Sequence, residues 1–169
     1  PAGSLDDTFT PGGGANAPIH ALGRQSNGQL VVGGDFTAYD GLNQTNVALL
    51  LATGVLDTNF NAGTIRLGAT AGSVRTLGVQ SDDKVVVGGL FNTINAISRN
   101  YIARLHTNGT VDLTFNPGNG ANNPVHSLVV QNNGRIVAGG AFTSFNNATH
   151  NFVVRLLADG SVDPSFVPP

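Results

Sequence analysis

The stretch "QSDDKVVVGGLFN" (Gln80–Asn92) decides the fold, because it contains an apolar strand that ends in two glycines. The run "VVV" has no polar alternation, so we expect both faces of that strand to be covered. "SDDK" before it is a turn sequence of the kind that joins two strands of a hairpin. A glycine pair inside a strand indicates a bulge or the close approach of another backbone.

The same pattern occurs three times along the chain. "PIHALGRQSNGQLVVGGDFT" (Pro18–Thr37) and "PVHSLVVQNNGRIVAGGAFT" (Pro124–Thr143) correspond to "SVRTLGVQSDDKVVVGGLFN" (Ser73–Asn92). Strands of the form "YIARLH" follow, and then a phrase Asp-x-x-Phe, which we call the D-x-x-F phrase. These landmarks divide the chain into units at approximately 10–60, 61–115 and 116–166 of one repeat domain, residues 1–169.

The D-x-x-F phrase occurs four times, ending at Phe9, Phe60, Phe115 and Phe166. The first copy has no unit before it. We therefore expect residues 3–9 to be an extra strand that belongs to a preceding blade or to a partner. Residues inserted in "NAGTIRLGATAGS" lengthen the middle unit, which predicts a surface loop there.

Each unit is predicted to contain four short strands, the D-x-x-F phrase being the fourth. Repeated four-stranded units indicate an all-β fold with antiparallel blades of the β-propeller type, three of them in this chain. The alternative is a β-trefoil, which also has three similar parts. The glycine pairs are structural positions in either case. They are Gly33, Gly34, Gly88, Gly89, Gly139 and Gly140.

The combination V-x-x-L-x-V-Q, D/N-G-K/R, V-V-G-G-x-F-T and I-A-R-L-x-x-x-G-x-x-D-x-x-F resembles the delta-60 repeats, a family of bacterial β-propeller-like repeats. The resemblance covers essentially the whole chain in three copies. It implies a repeat array in a large secreted or surface protein and implies little about activity. The first unit has Leu49 where the others have Arg104 and Arg155. If that arginine pairs with a repeated aspartate, the first unit lacks the pair.

Composition restricts the partners. The net charge of −2 and a single lysine provide no basic surface for nucleic acid, and the longest apolar run, Val47–Ala52, is too short for insertion into a membrane. Glutamate is absent while Asn, Thr, Gly and Val are abundant, so we expect almost no helix. There is no cysteine, and we expect neither a metal site nor a cofactor.

The aspartates of the D-x-x-F phrases are the most regular carboxylates. Because they recur in every unit, we expect them to cap turns or to accept backbone hydrogen bonds rather than to act on a ligand. They are Asp6, Asp57, Asp112 and Asp163.

Ligand contacts are expected at residues that differ between units. His20, Arg75 and His126 occupy equivalent positions on the first strands, which line the central channel of a propeller, so they could form a cationic ring. Asp35, Tyr39 and Arg66 are further candidate ligand-binding residues. If the chain is instead a carbohydrate-binding, lectin-like module, we expect the aromatic rings of Tyr39 and Tyr101 at loop tips.

The sequence offers no catalytic motif, neither a G-x-S-x-G elbow nor a reactive cysteine. We therefore predict a non-catalytic structural or protein-interaction scaffold in a secreted or cell-surface bacterial protein, for example in adhesion. A carbohydrate-binding, lectin-like module is the alternative. The third choice is a glycan-cleaving enzyme, for which Asp35 with Asp40 is the only pair of carboxylates to suggest.

A homo-oligomer or further blades of the parent chain are the expected partners, because an unclosed array exposes sheet edges. A protein or a glycan is the expected ligand. We expect an extracellular or cell-surface location, although the chain carries no signal sequence. The sequons at Asn43, Asn108 and Asn147 agree with that setting, and the missing initial methionine suggests a piece of a longer protein.

Overall fold

The computed structural model describes residues 3–4 and 6–167, and every regular element in them is a strand. The first unit contains β1 (Ile19–Arg24), β2 (Leu30–Gly34), β3 (Ala38–Tyr39), β4 (Leu42–Asn43) and β5 (Val47–Leu50). The second contains β6 (Ile65–Leu67), β7 (Thr70–Ala71), β8 (Ser73–Val79), β9 (Val85–Leu90), β10 (Thr93–Ile94), β11 (Ile97–Ser98) and β12 (Ile102–Leu105). The third contains β13 (Val125–Val130), β14 (Ile136–Gly140), β15 (Ser144–Phe145), β16 (Ala148–Thr149) and β17 (Val153–Leu156).

Each unit is built on a three-stranded antiparallel sheet. The strand orders are β1-β2-β5, β8-β9-β12 and β13-β14-β17. The predicted fourth strand is reduced to a single bridge, as between Leu50 and Leu56. The D-x-x-F phrase cannot continue the ladder, because its aspartate bends the backbone into a turn: the carboxylate of Asp57 accepts the N–H of Asn59 at 3.0 Å.

The propeller-type all-β prediction is confirmed. Among the described residues, the three unit sheets share no strand ladder and no closed barrel is present, so the β-trefoil alternative is wrong. The units instead stack face to face, with the first strands β1, β8 and β13 next to each other. In the described part of the chain, no helix is long and apolar enough to cross a membrane.

Most of the apolar core lies between the units, and a smaller cluster around Phe36 lies within the first. One apolar cluster joins Val31 and Leu49 of the first unit to Val74 and Leu77 of the second. A second cluster joins the second unit to the third. Strand β9 contributes to both, because Val85 and Val87 point one way and Val86 the other, and all three are fully buried. The prediction that this strand is covered on both faces is confirmed.

Two details differ from the sequence-based expectation. The insertion in the middle unit, predicted as a surface loop, contains two strands, since β6 and β7 form a hairpin that joins β10 and β11 in a four-stranded sheet. Ile65 of this hairpin is buried in the core, which fixes it in place. In residues 3–9, Leu5 lies outside the described residues, and the others form a turn instead of a strand, in which Phe9 N–H donates to Asp6 O at 3.1 Å.

Candidate functional site

A β-bulge occurs at the same place in every unit. The pairing of β1 with β2 steps from Ile19–Gly34 to Ala21–Gly33, which leaves His20 without a partner. The same irregularity leaves Arg75 and His126 unpaired in the other two units. Bulges redirect side chains and are frequent beside binding sites. The three residues singled out from the sequence are therefore the three bulge residues, and all are exposed.

The second glycine of each pair makes the bulge sterically possible. A Cβ at Gly34 would overlap the carbonyl oxygen of Pro18, which the bulge pushes toward β2. Equivalent overlaps would occur at Gly89 and Gly140. The expectation that the pair marks a bulge or a close backbone approach is confirmed, since both are present.

Polar groups gather around the first bulge. His20 Nε2 lies 2.8 Å from Asp35 Oδ2. The interaction with the Ser73 side chain is the largest influence on Asp35 and lowers its pKa; burial opposes it, and the hydrogen bond from His20 with the charges of His20 and Arg75 keeps the pKa below its ordinary value. Asp35 is therefore a carboxylate at neutral pH, held between a histidine, a hydroxyl and an arginine of two adjacent units.

This group of residues exists only where the first and second units meet. The positions equivalent to Asp35 are Leu90 and Ala141, so the bulge residues Arg75 and His126 have no such carboxylate in their own units. His20, Asp35 and Arg75 are thus brought together, whereas Arg66 lies apart on the β6–β7 hairpin. Its Nη1 donates to Ala69 O of that hairpin at 3.4 Å.

Tyr39 is not available to a ligand. Only 3 % of this residue is exposed, and its ring packs edge-on against Phe36 at a centroid distance of 6.2 Å. In the short β3–β4 hairpin, successive side chains face opposite sides, and the ring of Tyr39 faces inward. The polar residues in "TAYDG" give no indication of this orientation. Tyr101 packs partly buried against the core of the third unit. The prediction of an aromatic ring at a loop tip is therefore wrong for Tyr39, whereas Tyr101 lies at a bend before β12 and is partly buried.

The D-x-x-F aspartates build the units. Asp112 is fully buried. Its carboxylate accepts hydrogen bonds from the amide and hydroxyl of Thr114 and a further one, of 2.9 Å, from Arg104 Nε. Lys84 Nζ lies 3.3 Å from the same carboxylate. Burial opposes ionisation, but the hydrogen bonds of Thr114 and the charge of Arg104 outweigh it and hold the pKa of Asp112 well below its ordinary value.

The other copies of the phrase show how far this arrangement repeats. Asp163 pairs with Arg155 at 2.8 Å and caps its turn through Ser165, while Asp6 caps its turn through Thr8. In the first unit, where Leu49 replaces the arginine, Asp57 instead accepts Gln29 Nε2 at 3.2 Å. The predicted absence of the arginine pair from the first unit is confirmed, and so is the turn-capping role.

Metal-binding chemistry finds no support in the geometry. Within residues 3–4 and 6–167, no three histidine or acidic side chains come close enough to one another to hold a metal ion. Asp40, the suggested partner of Asp35 in a glycosidase pair, accepts the N–H of Gly13 at 2.8 Å and has no contact with the His20–Asp35 pair. Asp35 and Asp40 therefore bind separate partners: Asp40 accepts a backbone N–H and Asp35 pairs with His20.

Comparison with known proteins supports the repeat architecture. No curated protein matches the chain. A family described as "Domain of unknown function (DUF5122) beta-propeller" matches it three times, over residues 25–60, 80–115 and 131–166. Each match begins at the end of a first strand and ends at the phenylalanine of a D-x-x-F phrase, in agreement with the resemblance to delta-60 repeats. The chain belongs to this β-propeller repeat family.

Proposed function

We propose that the chain is a non-catalytic interaction scaffold of a secreted or cell-surface protein. The observation that carries the proposal is that the charged residues that recur in the units and those that differ between units occupy different places. Those that recur in the units pair within each unit and stabilise its fold, as Arg104 does with Asp112 and Arg155 with Asp163. Those that differ, foremost His20, Asp35 and Arg75, are exposed around the bulge where the first and second units meet.

The electrostatics of Asp35 favour this role over glycan cleavage. A glycosidase needs one carboxyl group whose pKa is raised, so that it is protonated and can donate to the leaving group. The pKa of Asp35 is lowered by its hydrogen bonds to Ser73 and His20. The lectin alternative loses its aromatic platforms, since Tyr39 is buried and Tyr101 packs against the core.

The extracellular setting is supported by the family resemblance and by the sequons. Asn43, Asn108 and Asn147 are all exposed, so nothing in the packing prevents modification of these positions.

Two measurements test the scaffold role. The chain and its Asp35→Asn variant are assayed on a broad panel of polysaccharides, and both are expected to be inactive. The chain is also applied to a glycan array, where we expect no binding above background. Turnover that disappears in Asp35→Asn would establish an enzyme, and saturable glycan binding that disappears in an Arg75→Ala variant would establish a lectin. Either result overturns the proposal.

A further inference from the structure

The turns that join the first and second strands of neighbouring units lie side by side. These turns are residues 25–28 in the first unit, 80–83 in the second and 131–134 in the third. We use the term first turn contact for the place where the first two turns meet, and second turn contact for the place where the last two meet. Equivalent positions at the two contacts carry different residues, and the difference changes what the second contact can bind.

At the first turn contact, a carboxylate fills the space between the two turns. Asp83 Oδ1 accepts the N–H of Ser26 at 2.7 Å, and Asp83 Oδ2 accepts the Ser26 hydroxyl. The Gln25 side chain donates to Asp83 O at 3.0 Å. The Ser26 hydroxyl and then its amide lower the pKa of Asp83 against the opposing effect of burial, so both donors favour the ionised carboxylate. One serine therefore holds one carboxylate group with two hydrogen bonds.

The second turn contact has the same serine but not the aspartate. Ser81 is the equivalent of Ser26, and Gly134 is the equivalent of Asp83. In the part of the chain that the structure describes, neither the N–H nor the hydroxyl of Ser81 makes a hydrogen bond, and Ser81 is exposed. Both donors are thus available to an acceptor that another molecule supplies.

The backbone has the same conformation at both contacts. Asp83 has φ = 59° and Gly134 has φ = 80°, so both residues lie in the left-handed region. Space for a side chain is also present. Apart from its neighbours in the chain, the described atom that an added Cβ at Gly134 would meet is Ala158 Cβ, at the ordinary contact distance of 3.4 Å. The two contacts therefore differ in side chains and not in the course of the backbone.

The space beside Gly134 is a cleft of about 430 Å³ between the second and third units. Its walls include Ser81, Asn132 and Ala158. Among the described residues, no partner accepts a hydrogen bond from the Asn132 side chain, which is exposed. Because an asparagine amide carries two N–H donors, Asn132 can add a further hydrogen bond to an oxygen ligand that the serine holds.

The charges of the cleft are compatible with an anion. Of the described residues in its walls, Arg104 and Asp82 carry charged side chains. Asp82 is paired with Lys84 Nζ at 3.3 Å, which offsets its charge. The position of Arg104 is occupied by Leu49 in the first unit, so the second contact gains a guanidinium that the first contact lacks. The walls of the cleft therefore carry no net negative charge that would repel a carboxylate.

We propose that the second turn contact binds a carboxylate of a partner protein, in the place that the Asp83 side chain fills at the first contact. The N–H and the hydroxyl of Ser81 each donate a hydrogen bond to one carboxylate oxygen, as those of Ser26 do to Asp83. The ligand is an acidic side chain, because the chain already holds an aspartate side chain in this way. The inference rests on the proposed scaffold function, which supplies the protein that carries the carboxylate.

Titration followed by proton–nitrogen correlation NMR spectra tests the site. The chain is titrated with N-acetyl-aspartate amide and, in parallel, with N-acetyl-asparagine amide, which has the same shape without the charge. We expect a saturable downfield shift of the Ser81 amide proton with the aspartate compound. Binding of the asparagine compound should be about fivefold weaker, since hydrogen bonds to a charged acceptor are stronger. The amide of Ser26, which is already bonded to Asp83, is the internal control and should not shift.

Three substitutions move the carboxylate between the contacts. Gly134→Asp supplies it from within the chain, so the Ser81 amide proton should shift downfield without ligand and should not respond to the aspartate compound. Gly28→Asp, at the equivalent position of the first unit, is the matched control for an aspartate with positive φ, and Ser81 should still respond in it. Asp83→Gly removes the carboxylate from the first contact, so Ser26 should gain the response.

The absence of a saturable shift at Ser81 overturns the inference, as does equal binding of the two compounds. A Ser81 response that persists in a folded Gly134→Asp variant overturns it as well, and the spectrum of each variant shows whether it is folded. If Gly134→Asp does not fold, the outcome depends on Asp83→Gly, in which a Ser26 amide that gains no response contradicts the role of the serine. Failure of this site is distinguishable from failure of the scaffold function, because polysaccharide turnover and glycan binding are measured separately.

Discussion

Arg104 in the second unit donates a hydrogen bond of 2.6 Å to the carbonyl oxygen of Ala158 in the third. The same guanidinium pairs with the buried carboxylate of Asp112. One side chain therefore closes its own D-x-x-F turn and fastens the next unit. Arg155 makes only the first of these connections.

Replacing Arg104 with leucine is expected to lower the free energy of unfolding by about 3 kcal/mol. The substitution leaves the buried Asp112 with Lys84 at 3.3 Å and His106 at 3.7 Å but without its arginine, and it removes the bond to Ala158. The matched variant, Arg155→Leu, is expected to cost about half as much, because Arg155 is more exposed and binds within its own unit. Urea denaturation of both variants measures the difference. Equal losses would contradict the linking role of Arg104.

Replacing Gly78 with valine is expected to destabilise the chain by about 2 kcal/mol, the usual cost of overpacking a filled interface. An added Cβ there would lie 2.8 Å from both Leu128 Cδ1 and Val130 Cγ2. The reverse change at the equivalent position, Val129→Gly, is expected to cost no more than about 1 kcal/mol, since Val129 faces solvent. Denaturation midpoints compare the two, and the stacking of units is wrong if Gly78→Val is the milder change.

Stability should fall in acid because of the D-x-x-F carboxylates. The hydrogen bond from the Ser165 side chain, with contributions from its amide and from Arg155, lowers the pKa of Asp163 to about 2, and the pKa of Asp112 is also lowered. Unfolded aspartate titrates near about 4, so the unfolded chain binds protons first as the pH falls. The contribution is complete above about pH 5 and is lost between about pH 4 and 2.

Melting temperatures measured from pH 7 to pH 2 test this expectation. The variant Asp163→Asn should melt lower at pH 7 and show a smaller decrease in acid, because one of the shifted groups is gone. An unchanged acid decrease in this variant would show that Asp163 does not contribute to it.

Replacing Phe152 with asparagine should stabilise the chain by about 1 kcal/mol, because Phe152 has φ = 67° and is 61 % exposed. Asparagine tolerates the left-handed conformation, and the equivalent residue of the first unit, Asn46, has φ = 60°. Asn46→Ala is the contrasting variant. It should destabilise, because the Asn46 amide donates to Gly34 O and Gly72 O. Chemical denaturation separates the two, and a loss of stability in Phe152→Asn would contradict the conformational argument.

The His20–Asp35 pair should contribute little to stability. Both side chains are more than one third exposed, so His20→Ala is expected to change the free energy of unfolding by less than about 0.5 kcal/mol. Calorimetry measures this change. A large loss would mean that the pair is part of the framework rather than a surface available for binding.

The sequence predicts what depends on the repeat and misses what depends on contacts between units. The glycine pairs, the doubly covered strand and the capping aspartates follow from residue type and local spacing. The sequence predicts the D-x-x-F phrase as a fourth strand, yet the Asp57 carboxylate accepts a backbone N–H and ends the ladder. No local pattern reveals that the N-terminal copy docks on Gly54, since that contact spans more than 40 residues.

The candidate site was only partly predictable for the same reason. Equivalence between units identified His20, Arg75 and His126, although the bulge that presents them became evident only from the pairing register. The partnership of Ser73 with Asp35 joins two units and has no local signature. The sequence does not predict that Tyr39 is buried, because the hairpin that turns its ring inward is only two residues long on each side.

The bulge has an evolutionary consequence. A residue that stands outside the ladder has no cross-strand partner and no place in the core, so its identity is independent of the requirements of folding. Glycine on the neighbouring strand preserves the backbone geometry whatever side chain is presented. Each added unit therefore contributes one freely variable position at a fixed place. A repeat array of this kind can diversify its recognition surface by point substitution while the sheets beneath it stay the same.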